Sequence, residues 1–426
     1  MASDAPNTIA SGLAVPAMAE SPPRGILFTA FEPSGDDHAA AVIAELRRRH
    51  PSDQLPIFAW GGPKMAEAGA EVIERTGEDA VMGLPGIGKL LEHRRINRRI
   101  ARWLASRSGG RGRVALHIPV DSPAANFPIC KIARRNGLKV VHLVAPQVWA
   151  WGSWRIRKLR RLTGLVLCLL PFEEQWFLDR SVPARFIGHP LFEKPIDEAA
   201  VRARADELAE GIDRSGSPRL AVMPGSRPGE MEGCFPILLD AIRRLRADYP
   251  RTCALVAATG PEAADRLRRI AAESGGLPSD VRIVAGDTDA VIRWCDFALV
   301  VSGTVTLQIA RQRKPMVTLY RPNRLVYQAL GRWLVTTELF TLPNLIAGRA
   351  IIPEFIPHFG DGEALAVEVI KLLRRPDYAE EQRRELDAVC RRFESSDAPR
   401  AGPAAADAIE RELGLKARTG TSARAS

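Results

Sequence analysis

The sequence predicts two α/β domains, each a parallel sheet with helices on both faces, set across a central cleft. Three observations lead there. At 426 residues the chain is too long for one ordinary domain and suits two. Short apolar runs alternate with amphipathic segments almost throughout, and repeated strand–helix units imply parallel sheets. The alternation also falls into two series, with a polar stretch between them.

In chain order, residues 1–23 contain no Lys or Arg and no continuous apolar block, so they do not read as a secretory signal. Ser, Ala and Pro dominate there and predict a disordered tail. The first series, 24–190, has strands over Gly25–Phe31, Pro56–Trp60, Val114–Val120, Lys139–Val144, Leu165–Leu170 and Arg185–Ile187, with helices over Ala39–Arg49 and Ile129–Asn136. The boundary falls just after Gly188-His189-Pro190. An Ala/Glu-rich helix (Glu198–Gly211) and a Ser/Gly/Pro turn (Ser215–Pro218) follow it. The second series, 191–375, has strands over Leu220–Met223, Ala254–Ala258, Val281–Val284, Phe297–Val301 and Met316–Tyr320, with helices over Ile237–Asp248 and Glu262–Glu273. A helical segment, 376–417, and a second disordered tail, 418–426, end the chain. Open α/β sheets bind ligands at the carboxyl ends of their strands, so the site is expected in the cleft.

Composition narrows the function. With 46% hydrophobic and 26% charged residues the chain reads as a soluble globular protein, and no apolar run is long enough to span a bilayer. The run Gly164–Pro171 reads as a buried strand. Six scattered cysteines form no CxxC pair and read as buried free thiols, as in a reducing cytoplasm. A net charge of +10 favours an anionic partner: nucleotide, anionic lipid or nucleic acid. Nucleic acid is disfavoured, because the basic segment lacks interleaved aromatics and no recognition motif is present.

Several turns carry chemistry. Glu32-Pro33-Ser34-Gly35-Asp36 follows the first strand and opens a helix. It is either a ligand-contacting turn or an ordinary one with Asp36 as a cap. Pro224-Gly225-Ser226-Arg227 follows the first strand of the second series, where backbone N–H groups and an Arg fork suit a diphosphate. Ser302-Gly303-Thr304 repeats that logic, and two such loops in one domain favour a nucleotide diphosphate site. Asp121 ends the third strand candidate, either as a base for a hydroxyl or as a turn acceptor. Asp287-Thr288-Asp289 spells DxD but reads better as a helix start, and no His/Cys/carboxylate cluster has metal-ligand spacing. Leu84–Trp103 sets Leu90, Leu91, Ile96, Ile100 and Trp103 beside six basic residues. It fits an interfacial helix on anionic lipid or a solvated helix covering a sheet.

Taken in order, these motifs resemble the lipid-A-disaccharide synthase family. The matching stretches are Glu32–Asp36, Gly61-Gly62-Pro63-Lys64-Met65, Val81-Met82-Gly83, Val144–Trp151, Pro171-Phe172-Glu173, Phe186–His189, Pro224–Arg227, Ser302–Thr304 and Leu342–Arg349. Each is weak alone; the ordered set, from about residue 24 to about 375, is specific. The resemblance implies a GT-B type enzyme of two Rossmann-like domains that uses no metal or other cofactor. It implies transfer of 2,3-diacylglucosamine from UDP to the 6-hydroxyl of 2,3-diacylglucosamine 1-phosphate, at the cytoplasmic face of the inner membrane. It implies Asp121 as base, with Asp36 or Glu32 as the alternatives. It assigns the donor to Gly225, Ser226, Arg227, Ser302, Gly303, Thr304, Gln308 and Asn344, and the acceptor to Glu32, Ser34, Gly35 and Trp149. A second copy of the chain is a further partner left open.

Four departures sit near the implied site. The family's second acidic residue after Asp-x-Pro is Ala124. The Glu after Ser-Gly-Thr-x-Thr-Leu is Gln308, which accepts with one oxygen and donates from its NH2. Phe31 replaces a Gly, and Pro85-Gly86 replaces a Glu-Val step. They keep two other readings open: a glycosyltransferase with another acceptor, or a catalytically silent paralogue that binds UDP-sugar or lipid.

Overall fold

The computed structural model describes residues 24–76, 87–107, 113–150, 152–212, 217–322, 324, 327 and 337–415. The expected tails, Val81-Met82-Gly83, Leu84, Pro85-Gly86 and Trp151 lie outside the described residues. The first sheet holds seven parallel strands: β1 (Gly25–Thr29), β2 (Ile57–Gly61), β3 (Glu71–Arg75), β4 (Val114–Pro119), β5 (Lys139–Leu143), β6 (Leu165–Cys168) and β7 (Ala184–Phe186), in the order β3-β2-β1-β4-β5-β6-β7. The second holds six: β8 (Arg219–Met223), β9 (Cys253–Ala258), β10 (Val281–Ala285), β11 (Phe297–Val301), β12 (Met316–Leu319) and β13 (Glu354–Phe355), in the order β10-β9-β8-β11-β12-β13.

The two sheets share one plan. The first and fourth strand of each lie side by side, β1 against β4 and β8 against β11. The chain winds outward in opposite directions from these pairs, so their carboxyl ends are topological switch points, where open sheets leave a crevice.

Strands buried on both faces read as continuous apolar runs, which is why nearly all were visible in the sequence. Alternate residues serve opposite faces: Ile26 and Phe28 pack into one core and Leu27 into another. Two strands were missed. β3 (Glu-Val-Ile-Glu-Arg) is an edge strand with polar ends, and β13 is only two residues long.

The helices of the first half are α1 (Pro33–Arg49), α2 (Pro63–Glu67), α3 (Ile87–Ser106), α4 (Pro123–Arg135), α5 (Ile156–Leu162) and α6 (Pro171–Leu178). Those that follow are α7 (Glu198–Leu208), α8 (Pro228–Asp248), α9 (Pro261–Glu273), α10 (Thr288–Trp294), α11 (Val305–Arg311), α12 (Leu342–Ala347), α13 (Glu363–Arg374), α14 (Pro376–Glu394) and α15 (Ala401–Leu413). The four amphipathic helices α1, α4, α8 and α9 each begin earlier than the apolar period predicts, at a proline in the first helical turn. Proline suits that position because its missing N–H would have no partner there.

The C-terminal helical segment divides between the sheets. Leu386, Val389 and Phe393 of α14 pack under the second sheet. Helix α15 returns to the first, burying Ala405 and Ile409 against Val42 and Leu46 of α1. Arg49 ties it down through Asp407 (2.6 Å) and Glu410 (3.0 Å). Gly188 makes room for the return: at φ 87°, a Cβ there would sit 1.9 Å from the Pro399 carbonyl oxygen. All six cysteines are free and buried. Among the described residues no helix is long and apolar enough to cross a membrane.

Candidate active site

The loops leaving β1 and β4 meet at the first switch point. Asp121 and Ser122 both adopt left-handed backbone conformations (φ 45° and 38°), costly for residues with a Cβ. A buried polar chain holds them. Thr29 Oγ1 donates to Asn126 Oδ1 (2.7 Å) and must therefore accept from His117 Nε2 (2.9 Å). Asn126 Nδ2 donates to the carbonyls of Val120 (3.0 Å) and Asp121 (2.9 Å). Burial lowers the His117 pKa to about 3, so its ring stays neutral. The backbone of Asp121 is thus pinned from beneath, while its carboxylate remains partly open to the cleft.

Burial raises the pKa of Asp121. The nearby Glu32 carboxylate acts in the same direction, while the Ser122 amide and the Arg227 guanidinium oppose it. Ser122 Oγ donates to Glu32 Oε1 (2.9 Å), fixing the second carboxylate beside the first. Arg227 stands in the loop after β8, so a cation from the second sheet's side lies near enough to act on the Asp121 carboxylate.

At the second switch point, Gly225 turns the chain at φ 100°, where a Cβ would come within 2.7 Å of Glu230 Cβ. The amides of Ser226 and Arg227 both donate to Glu230 Oε2 (3.1 Å each), and Arg227 Nη1 donates to Glu230 Oε1 (3.0 Å). The Arg227 side chain is otherwise 74% exposed. The Ser226 and Arg227 amides expected to hold a diphosphate are thus taken by Glu230, which leaves the exposed Arg227 side chain as the loop's contact for an anion. After β11, Gly303 and Thr304 are exposed, Ser302 and Gln308 are half-buried, and Thr306 Oγ1 ties the turn by donating to the Gly303 carbonyl (2.7 Å).

Four expected site residues do other work. Asp36 is buried and its carboxylate is consumed by backbone: Oδ1 accepts from Gly62 (3.0 Å) and Met65 (3.1 Å), and Oδ2 from Lys64 (3.0 Å). It caps α2, not its own helix, and cannot serve as an alternative base. Gly35 faces the sheet: a Cβ there would lie 3.2 Å from Ala30 Cβ, so its role is packing of α1. Asn344 is fully buried, accepting from Ile351 (2.8 Å) and Ile352 (3.0 Å) and donating to the Ile352 carbonyl (2.9 Å) and Glu354 (2.7 Å). That exhausts its amide and leaves nothing for a donor. Trp149 is buried, with its Nε1 donating to Glu173 (3.0 Å) and its ring edge-on to Phe172. Of the rest, Ser34 is exposed in the first turn of α1.

Glu173 itself was quoted only as part of a motif. It caps α6 through the Leu170 amide (3.1 Å), and burial pushes its pKa up to about 7, with the Asp121 charge adding to the effect. Its place directly after the apolar run Leu169-Leu170-Pro171-Phe172 was the available signal, though the neighbouring Glu174 makes the pair read as a solvated helix start. Glu230 and Asn126 were also missed, because a polar residue in the first turn of a helix reads as solvated.

A family model described as lipid-A-disaccharide synthetase matches residues 26–406. The chain belongs to this family. The lipid-A-disaccharide synthase of Anaeromyxobacter dehalogenans is 38% identical over 355 residues, 82% of this chain and 88% of that protein. That of Geobacter sulfurreducens is 33% identical over 373 residues, 87% and 94% of the two chains. Solved structures share the fold at low identity. One is a UDP-GlcNAc 2-epimerase from Neisseria meningitidis (TM-score 0.60, 12% identity, 92% of this chain and 100% of that one). Another is a calicheamicin glycosyltransferase (TM-score 0.56, 18% identity, 93% and 99%). The protein is therefore a GT-B glycosyltransferase of lipid A biosynthesis. Of the family departures, Ala124 is exposed in the first turn of α4 and Gln308 stands one turn into α11.

Proposed function

We propose that the protein transfers 2,3-diacylglucosamine from UDP to the 6-hydroxyl of 2,3-diacylglucosamine 1-phosphate with inversion and without a metal. The observation that carries this is a half-buried carboxylate, Asp121, beside the first switch point, within reach of the charge of Arg227 from the loop after β8. The hydroxyl oxygen attacks the anomeric carbon as Asp121 takes its proton. The bond to the diphosphate breaks on the opposite side, and UDP leaves with the charge. Arg227 and the exposed turn Gly303-Thr304 stabilise that growing charge, and Gln308 contacts the ribose. Glu32 and Ser34 line the acceptor side. The DxD carboxylates are engaged elsewhere, Asp287 with Arg204 (2.9 Å) and Asp289 with Gln312 (3.2 Å). A UDP-binding role fits fold neighbours solved with UDP-GlcNAc and with UDP and glucose.

The same reading places the protein on anionic lipid at the cytoplasmic face of the inner membrane. Helices α3, α4 and α5 cover one face of the first sheet, anchored by Ile100, Ile129 and Leu159 in one core. Outward they expose Arg94, Arg95, Arg98, Lys131, Arg134, Arg135, Arg157, Arg160 and Arg161, and α4 and α5 contain no acidic residue. Leu91 and Trp154, 46% and 68% exposed, stand near the starts of α3 and α5. On the opposite face, α1 and α15 neutralise each other through Arg49, Asp407 and Glu410.

Incubation with both substrates in mixed micelles should give the β-1,6-linked disaccharide 1-phosphate and UDP. UDP release without disaccharide, or no turnover, overturns the reading. Changing Arg94, Arg95, Arg98, Arg157, Arg160 and Arg161 to Gln should abolish sedimentation with phosphatidylglycerol vesicles at low salt, at about 1 kcal/mol per residue. Equal sedimentation of variant and parent removes this face from membrane docking.

A further inference from the structure

A cavity of about 710 Å³ opens at the carboxyl end of the second sheet, between the first two turns of α8 and the chain leaving β12. Arg227 lines it and also acts on Asp121, so the cavity adjoins the reacting centre. Its other walls include Tyr320, Arg321 and Arg324, none of which a motif singled out. Its volume lies in the range of small-molecule sites.

The charges inside are unevenly satisfied. Glu230 is held by the Ser226 and Arg227 amides and by the Arg227 guanidinium. Glu232 is held by Arg266 Nη1 (2.7 Å). Both carboxylates are therefore spoken for. Among the described residues, Arg321 and Arg324 have no acidic partner; Arg324 lies over the Phe359 ring, 5.8 Å from its centroid. Burial raises the pKa of Tyr320, with the Glu230 charge adding, so its phenol remains an O–H donor near neutrality. On the α8 side, glycines alternate with the two satisfied carboxylates. Gly229 and Gly233 stand one turn apart, and a Cβ on Gly229 would meet nothing within 4 Å. Glycine is a poor helix former, so the bare helix surface at these two positions, facing unpaired guanidinium groups, is what an incoming ligand needs. Planar guanidinium groups bind phosphate oxygens in pairs.

We propose that this cavity is a phosphate subsite, in which Arg321, with Arg324 and the Tyr320 hydroxyl, binds a phosphoryl group of one of the two substrates. The two sources are the acceptor's 1-phosphate and the nucleotide diphosphate. Naming those sources rests on the proposed transfer reaction; the anion site itself does not.

The test is calorimetric binding of UDP, glucosamine 1-phosphate and unphosphorylated glucosamine to the parent, Arg321→Ala and Arg321→Lys, with thermal melts to confirm folding. Arg321→Ala should weaken one phosphorylated ligand by tenfold or more, with partial rescue by Lys and no change for glucosamine. Loss on UDP assigns the cavity to the donor; loss on glucosamine 1-phosphate assigns it to the acceptor. Unchanged affinity for both, or a parent that binds neither, overturns the proposal. Because no turnover is measured, a failed transfer assay beside a positive binding result removes the reaction and leaves the site.

Discussion

The loop after β4 and the loop after β8 each leave a strand at the switch point of their sheet, yet they are held in different ways. The first sets two non-glycine residues at positive φ, and fixes the Asp121 backbone with a buried chain from His117 through Thr29 to Asn126. The second places its positive φ on Gly225, and leaves Arg227 largely in solvent, held by Glu230 from the same helix start. The first loop is half-buried and pinned from beneath; the second is open and locally satisfied. A group that must remove a proton in one geometry gains from being fixed in advance, since left-handed backbone is kept only where the surroundings enforce it. A group that receives an incoming anion needs exposure, and an internal carboxylate keeps it satisfied until the ligand arrives.

That contrast predicts unequal effects. The largest belongs to Asp121. Asp121→Asn should lower kcat by roughly 10²–10⁴ while UDP affinity changes little. In the parent, the acid limb of the rate–pH profile should lie above the ordinary aspartate range. Burial raises the Asp121 pKa, and activity is lost as pH falls through it. Full turnover by Asp121→Asn would erase the distinction between the loops and return the search to Glu32, since Asp36 is occupied by backbone.

The smaller effect belongs to Arg227. Arg227→Ala should weaken UDP binding by about ten- to a hundredfold, the order of a hydrogen bond to a charged group. The rate-setting geometry of Asp121 should survive, so the rate–pH profile should keep its shape with only a modest shift from the lost cation. Unchanged UDP affinity by calorimetry would show that the second loop serves Glu230 alone.

Much of the fold was legible before any coordinates. Two series of apolar runs gave the two sheets, because strands covered on both faces announce themselves locally. The edges were less legible. Polar β3 and two-residue β13 lack a continuous run, and first helical turns at the cleft bury too little to enter the apolar period. The prolines at 33, 123, 228 and 261 carried that information instead.

The candidate site was legible as a set of motifs, and much less so as a set of roles. By itself the sequence determined the two-domain α/β plan, the ordered motifs of the family and the buried thiols, because these follow from local pattern. Tertiary structure alone decided that Asp36, Asn344 and Trp149 are spent on structure, and that Glu173 and Glu230 matter. It also decided that the Arg227 charge acts on Asp121 from the other sheet's side, and that α15 returns to the first. The physical reason is that a side chain has a fixed number of donors and acceptors. Which of them remain for a substrate depends on partners remote in the sequence.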